Sequence, residues 1–386
     1  MANNFGTLIP TIYEALDQVS RELVGFIPAV NRDTSADRAA IGETVTFFVP
    51  PTMSAVDIAP SSSLPAGADQ AIGTDTLQIS KARAVQFRYT GEELKGLENG
   101  PGKNPVFKGQ LVQAMRVIVN EIEGALGGLL NFASRAYAVS SGNVFDSTDQ
   151  IASIAQVRRI LSDNGAPIAG GDTHLVLDTN FAAKLRSLSV LFKANEAGDA
   201  DMLRNGALGR LYNIDVHESA GVSPVTEYSG TPSGLVVSGA TAKGATSLVL
   251  KTGTGSFKKG DVVTIGADTT QRYVVSADGT STSLSINEPG LVAGVSDGAA
   301  VAKVGSITSY TPLAAFTRNA LTLVTRAPAL PSNGDAGEHM VITDPLSGLS
   351  FDLGRYAQYR QELWEVSIAY GVKCTKREHL ALIMGT

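Results

Sequence analysis

"NGALGRLYNIDVHES", residues 205–219, poses the question on which the fold turns. Glycines at 206 and 209 stand just before Arg210, and an alternating run follows. Such a stretch is either a phosphate-cradling loop or a piece of architecture. A dinucleotide fingerprint sets three glycines between a strand and a helix, so that the helix N-terminus meets the phosphate. Here two glycines precede a strand, with Leu211, Ile214 and Val216 as its apolar positions. The helix end that would bind an anion has no place, so the stretch reads as architecture. Gly206 and Gly209 give its loop conformational freedom.

Other chemical candidates fail in similar ways. "KTGTGSFKKGD" (251–261) resembles a Walker loop only in composition. That motif needs Gly, four residues, then Gly-Lys-Ser/Thr opening a helix. Gly255 leads instead to Phe257, two lysines and Gly260, and then to a strand, which is a β-turn pattern. The four histidines, His174, His217, His339 and His379, fall in neither HExxH nor His-x-His spacing, which predicts packing or surface roles and no metal centre. Cys374 is the one cysteine. It excludes an internal disulfide framework and sits in an alternating run rather than at a helix start, where a nucleophile would be activated. The expected catalytic, cofactor-binding and metal residues are therefore none, and the chain is not expected to be an enzyme.

The 386 residues allow two or three compact units with a substantial core. Thirty-one basic against 37 acidic side chains give a net charge of −6. Direct coating of nucleic acid wants clustered Lys and Arg, so that class is excluded. A mildly acidic wall beside nucleic acid is not, because it would not hold a polyanion fast. The N-terminal stretch lacks a basic region followed by an apolar one, and no run of 18 apolar residues occurs. Neither a signal peptide nor a membrane span is expected.

Along the chain, Ile12, Ala15, Leu16, Val19 and Leu23 predict a helix over 7–24, with Pro28 as its breaker. "ETVTFFVPP" predicts a strand. Residues 53–75 are rich in Ser, Ala, Gly and Pro and predict a projecting loop, flanked by strands into a long hairpin. Phe107, Leu111, Met115, Ile118, Ile122, Leu126, Leu129 and Ala133 predict a helix over 106–138, a rod of ~50 Å if unbroken. Asp149 is the expected cap of a helix over 149–163, with Gly165 and Pro167 as its stop. "THLVLD" predicts a buried strand and "TNFAAKLRSL" a helix. Residues 231–306 hold short β segments at eight-to-twelve-residue spacing and predict a small all-β barrel or sandwich inserted in a mixed α+β body.

In this order the pieces resemble the major capsid proteins of tailed bacteriophages, in the short-tailed-phage branch with an inserted β-barrel. "GALGRLYNIDVHES", "FKKGDVVTIG", "AAFTRNALTLVTRAPALP" and "WEVSIAYGVKCTKREHLALI" carry the resemblance. It implies an α+β capsid fold of the kind also found in the herpesvirus floor. The division would be an N-terminal arm (1–52), an extended hairpin loop (53–95) and a peripheral domain with the spine helix (96–170). A central domain (171–230 and 311–360), the inserted β-barrel (231–306) and a C-terminal core strand (361–386) complete it. The resemblance also implies self-assembly, as hexamers and pentamers, into an icosahedral head around packaged double-stranded DNA that is bound without sequence specificity. A separate scaffolding protein, a portal protein and a decoration protein are the implied partners, with no membrane. The implied location is the virion, assembled in the host bacterial cytoplasm. No residue pair stands out for a lysine–asparagine crosslink. Rival readings are a tail or decoration protein, a nanocompartment shell of the same fold and a nucleotide-using enzyme. A tail tube would be mostly β and would not need the long helix.

Overall fold

The computed structural model describes residues 24–49, 60, 73–98, 103–139, 143–146, 149–188, 191, 209–225, 232–268, 270–304, 310–332, 334–343 and 348–385. The expected helix over 7–24, except Val24, most of the 53–75 stretch and Gly206 lie outside them.

The described chain begins with a helical turn, α1 (Phe26–Ala29). Pro28 lies inside this turn rather than after it, where its missing N–H costs nothing because a first-turn N–H has no helical partner. The strands β1 (Asn31–Ala39), β2 (Thr44–Val49), β3 (Gly73–Gln78) and β4 (Lys81–Thr90) follow, then the helices α2 (Gly91–Glu98) and α3 (Lys103–Gly127). Among the described residues strand β2 pairs with β3 alone, antiparallel from Thr44↔Gln78 to Val49↔Gly73.

Helix α3 buries Phe107, Leu111, Met115, Ile118, Ile122 and Leu126 in one stripe. Its 25 residues make a rod of ~38 Å, shorter than the 33-residue pattern predicts. A tight turn over Gly128–Phe132 ends it, and β5 (Arg135–Tyr137) follows. The reason is a backbone crossing. A Cβ on Gly127 would lie 2.4 Å from the carbonyl oxygen of Gly221.

Helix α4 (Ala152–Asp163) starts after Asp149, whose carboxylate accepts from the Ser153 hydroxyl and the Phe145 N–H instead of capping the helix. Gly165 ends it at φ +79°. Strand β6 (Thr173–Leu177) is wholly buried. Helix α5 (Thr179–Arg186) is capped by Asp178, which accepts from the Asn180 N–H.

The 205–219 stretch forms two strands, not one. Strand β7 (Arg210–Leu211) turns through Tyr212 and Asn213, at φ +51° and +65°, into β8 (Ile214–Glu218). Positive φ at both central residues is the mark of the two-residue hairpin turn. It also explains the broken alternation between Leu211 and Ile214.

Six short strands follow: β9 (Val236–Val237), β10 (Ser247–Lys251), β11 (Val262–Ile265), β12 (Arg272–Val274), β13 (Ser283–Ser285) and β14 (Val301–Lys303). Then come β15 (Thr311–Thr317), β16 (Leu321–Pro328), β17 (Gly337–Thr343), β18 (Ser350–Gln358), β19 (Gln361–Cys374) and β20 (Leu380–Gly385).

Two large sheets organise these strands. One has nine, in the order β14-β11-β12-β5-β20-β15-β6-β8-β7. The other runs β1-β16-β19-β18-β17, with β4 also paired to β19. The expected grouping of 311–360 in one domain does not match this topology, since β15 lies in the first sheet and β16 to β18 in the second. The expected single C-terminal strand is likewise two, β19 and β20, one in each sheet.

The nine-stranded sheet is buried on both faces. Leu175, Leu177, Leu313, Ala315 and Ile383 meet α4 and α5. Val176, Ala314, Phe316 and Leu382 face the cluster built on α3 and the six-stranded sheet. The period-two alternation of each strand feeds two cores at once.

The β7–β8 turn generates a test. Tyr212 carries a left-handed backbone at a half-exposed position, a conformation that asparagine adopts at less cost. Tyr212→Asn is expected to raise stability by up to about 1 kcal/mol. A lowered urea midpoint would contradict the turn geometry.

Candidate assembly surface

The surface rests on a buried junction. Glu123 sits on α3 and is 3% exposed. Its carboxylate accepts from the backbone N–H groups of Phe26 (3.1 Å) and Ile27 (2.8 Å) and from the Ser219 hydroxyl (2.5 Å). Burial pushes its pKa up, against the pull of these donors. Glycines let the three segments touch. A Cβ on Gly25 would lie 2.6 Å from the Ser219 Cβ, and one on Gly221 would lie 2.8 Å from the Glu123 backbone.

The β2–β3 hairpin springs from a second fixed point. Lys373 on β19 binds the Asp75 carboxylate and donates to the Thr76 carbonyl at 2.8 Å. Leu77 and Ile79 are buried beside Ala39, Val324 and Ala369, with Val45 and Phe47 packed against them. Beyond this root the hairpin presents Phe48 at 79% exposure, and Ile41, in the turn between β1 and β2 at the root, is 64% exposed. A second apolar feature lies on the outer side of α3. Val85 and Phe87 of β4, with Pro105, Val106, Gly109 and Val117 of α3, line a shallow groove of about 400 Å³. Single exposed apolar residues need no explanation, but a contiguous apolar groove points to contact with another surface.

The chemical candidates of the sequence are engaged in structural contacts. Arg210 does not face an open anion cradle. It grips Asp215 of its own hairpin (2.7 and 2.9 Å) and donates to the Gly171 carbonyl at 3.2 Å. The 251–261 stretch runs through turns with Gly253, Gly255 and Gly260 at positive φ and enters β11 with no helix. Lys251 and Lys258 are paired with Asp297 and Asp278. Burial pushes the Cys374 thiol up to about 12, where it holds its proton and is a poor nucleophile.

The histidines are less scattered than their spacing predicts. His174 Nδ1 and His217 Nε2 lie 3.1 Å apart. They stand on the adjacent parallel strands β6 and β8, which is why no local motif could reveal them. His339 bridges Asp335 and Asp352 (3.0 and 3.1 Å), and Asp352 also takes a two-pronged contact from Arg38. His379 lies in the turn before β20. Among the described residues no three His, Cys, Asp or Glu side chains gather as a metal-binding set. No helix among them is long and apolar enough to cross a membrane.

No protein-family model matches the chain, and no curated protein matches it. Solved structures do. The capsid structure of the cyanophage P-SCSP1u is 9% identical, with 95% of this chain and 89% of that chain covered at a TM-score of 0.52. A chain of Mycobacterium phage Che8 is 12% identical over 95% of this chain and 90% of its own, at 0.44. The virus-like particle from Pyrococcus furiosus is 7% identical over 97% and 96%, at 0.40. The first of these shows that the chain has the α+β fold of a phage capsid subunit.

The Glu123 junction makes a graded prediction. Glu123→Leu leaves the Phe26 and Ile27 N–H groups and the Ser219 hydroxyl buried without their acceptor and is expected to cost about 3 kcal/mol or more. Glu123→Gln keeps one oxygen for the two N–H groups and turns its amide toward Ser219, and is expected to cost about 1 kcal/mol. Equal urea midpoints for the two variants would rule out the carboxylate as the tie.

Proposed function

We propose that the chain is the major capsid protein of a tailed bacteriophage, a structural protein that builds the icosahedral head around double-stranded DNA. The observation that carries this is the shared fold over nearly the whole chain with the cyanophage P-SCSP1u capsid. The surface is of the matching kind. A two-stranded hairpin leaves the body with an exposed Phe48, and an apolar groove runs beside α3 on the same chain. Both features are served by other copies in a shell, where many individually modest contacts add up.

In this reading the hairpin lies over a neighbouring subunit and α3 stiffens a thin plate. The arm of 1–52, the hairpin segment 53–95, the spine-helix region 96–170 and the inserted module over 231–306 keep the roles the resemblance implies. The subunits form hexamers and pentamers. A separate scaffolding protein guides assembly in the bacterial cytoplasm, a portal protein occupies one vertex, and a decoration protein has the outer surface to bind. The net charge of −6 suits a wall that releases the polyanion it encloses.

Electron microscopy of the full chain, expressed alone and with the genes beside its own, tests the proposal. Closed shells, sheets or tubes of many subunits are expected under at least one condition. Persistent monomer under all of them, measured by light scattering, would overturn it. Phe48→Asp, which is exposed and should leave the fold intact, is expected to reduce shell yield at least tenfold. Wild-type yield from that variant would remove the hairpin from the assembly surface. Shells that load a protein cargo and never DNA would favour a nanocompartment.

A further inference from the structure

The two large sheets are joined at two adjacent crossovers. The turn Arg318–Ala320 carries the chain from β15 to β16, and the turn Arg377–His379 carries it from β19 to β20. They are stitched together, since the Thr375 and Lys376 N–H groups both donate to the Ala320 carbonyl, at 2.8 and 3.3 Å. Arg318 stands in the first crossover and reaches back to the nine-stranded sheet. Its Nη2 lies 3.4 Å from His174 Nε2, and His174 Nδ1 lies 3.1 Å from His217 Nε2.

This chain has one sensible direction. A guanidinium only donates, so His174 Nε2 must accept and its proton sits on Nδ1. That N–H donates to His217 Nε2, which leaves the His217 proton on Nδ1. Both rings are then neutral. An added proton has no good place. On His217 Nε2 it meets the His174 N–H, and on His174 Nε2 it meets the Arg318 guanidinium. The two nearby carboxylates are already engaged. Asp172, just before β6, pairs with Arg318 at 3.5 Å and also accepts the Arg318 N–H on its backbone carbonyl. Asp215 on β8 is held by Arg210 of β7. From β15 the Phe316 ring packs against His174.

We propose that the Arg318–His174–His217 chain is an acid-sensitive catch that holds the crossover between the two sheets and lets it loosen when a proton enters the histidine pair. The histidines differ from surface histidines in the direction this requires. Burial, then the neighbouring His217 and Arg318, push His174 down to about 4, and burial lowers His217 as well. A lowered histidine pKa means that the opened state binds protons first as pH falls. The stabilisation is complete above the ordinary value of about 6.5 and is lost on descent toward about 4. The catch stands on the subunit alone and does not depend on the shell reading.

The test uses the full chain before assembly. Histidine-selective ¹⁵N NMR at pH 7 is expected to show both rings neutral with the proton on Nδ1. A charged ring, or His174 protonated on Nε2, would overturn the proposal. Hydrogen exchange, corrected for intrinsic rates, then reads the crossovers. Protection over 316–320 and 374–376 is expected to fall at least tenfold from pH 7 to pH 5. The double variant His174→Gln/His217→Gln keeps hydrogen-bonding amides at both positions and removes both proton sites. It is expected to keep at least tenfold more protection than wild type at pH 5. Equal loss in wild type and variant would overturn the proposal, and so would no loss in wild type.

Discussion

A carboxylate buried where three chain segments cross is the constraint on which the other contacts depend. Glu123 holds the segment entering β1, the helix α3 and the segment leaving β8 at one point. A buried ionisable group is costly unless its lone pairs are filled, so these donors cannot drift apart independently. Gly25, Gly127 and Gly221 make the approach close enough for this to work. Once the junction is made, the position of α3 over the six-stranded sheet follows. Phe107 meets Trp364 edge-on at 4.7 Å, and Phe87 meets Phe107 at 5.8 Å. The same junction sets where α3 must end, because Gly127 already touches Gly221.

From there the strands divide their side chains between cores. The segment 232–304 does this in its own way. Val263, Ile265, Tyr273 and Val275 face an internal cluster with Leu248, Leu250, Leu284 and Ile286. Val262, Val274 and Val304 face the main cluster instead. Strands β11, β12 and β14 therefore extend the nine-stranded sheet, while β9, β10 and β13 close over them as a separate sheet. The seam is β12 against β5, where Arg135 is buried. Its guanidinium donates to Gln271 (2.8 Å), Asn164 (2.7 Å) and the Ile160 carbonyl (3.2 Å). A buried cation with several oriented acceptors resists sliding, since any shift strands its donors.

Much of this was legible where a local rule sufficed. The three-and-four spacing of α3 gave its buried stripe and "THLVLD" its buried strand, whereas the expected cap Asp149 turns to Ser153 and Phe145 and the cap that forms is Asp178. The α+β fold was likewise readable from the order of elements. What failed to show was non-local. Strand β1, "NRDTSADRA", has no apolar alternation, because ion pairs do much of the holding. Arg38 grips Asp352, and Arg326 grips Asp33, across 290 or more residues of chain. The β7–β8 turn lacks the usual Asn-Gly signal and puts a tyrosine in left-handed backbone, so two strands looked like one. The end of α3 depends on a crossing with Gly221, nearly a hundred residues later. The histidine pair depends on the parallel register of β6 with β8, a fact of topology that spacing does not encode.

The exposed Phe48 of the hairpin and the groove beside α3 escape detection for a different reason. Sequence periodicity reports which side of an element is apolar, not whether that side finds a partner within its own chain. Phe47 and Phe48 are adjacent and chemically identical, yet Phe47 packs against the Leu77–Ile79 cluster while Phe48 stands in solvent. In a strand, neighbouring side chains take opposite faces, so a ribbon of two strands attached along one face must leave the other bare. A ribbon this thin supplies no core of its own to cover that second face. Lys373 and the buried Ile79 fix its root, so the bare face is carried outward on an anchored base. That combination suits repeated contact between copies better than capture of a small molecule, which wants a concave site with convergent polar groups. The 205–219 stretch fits the same logic. Gly209 and Arg210 lead into a hairpin whose charges are spent on each other, so what resembled a ligand loop serves to close the edge of a sheet.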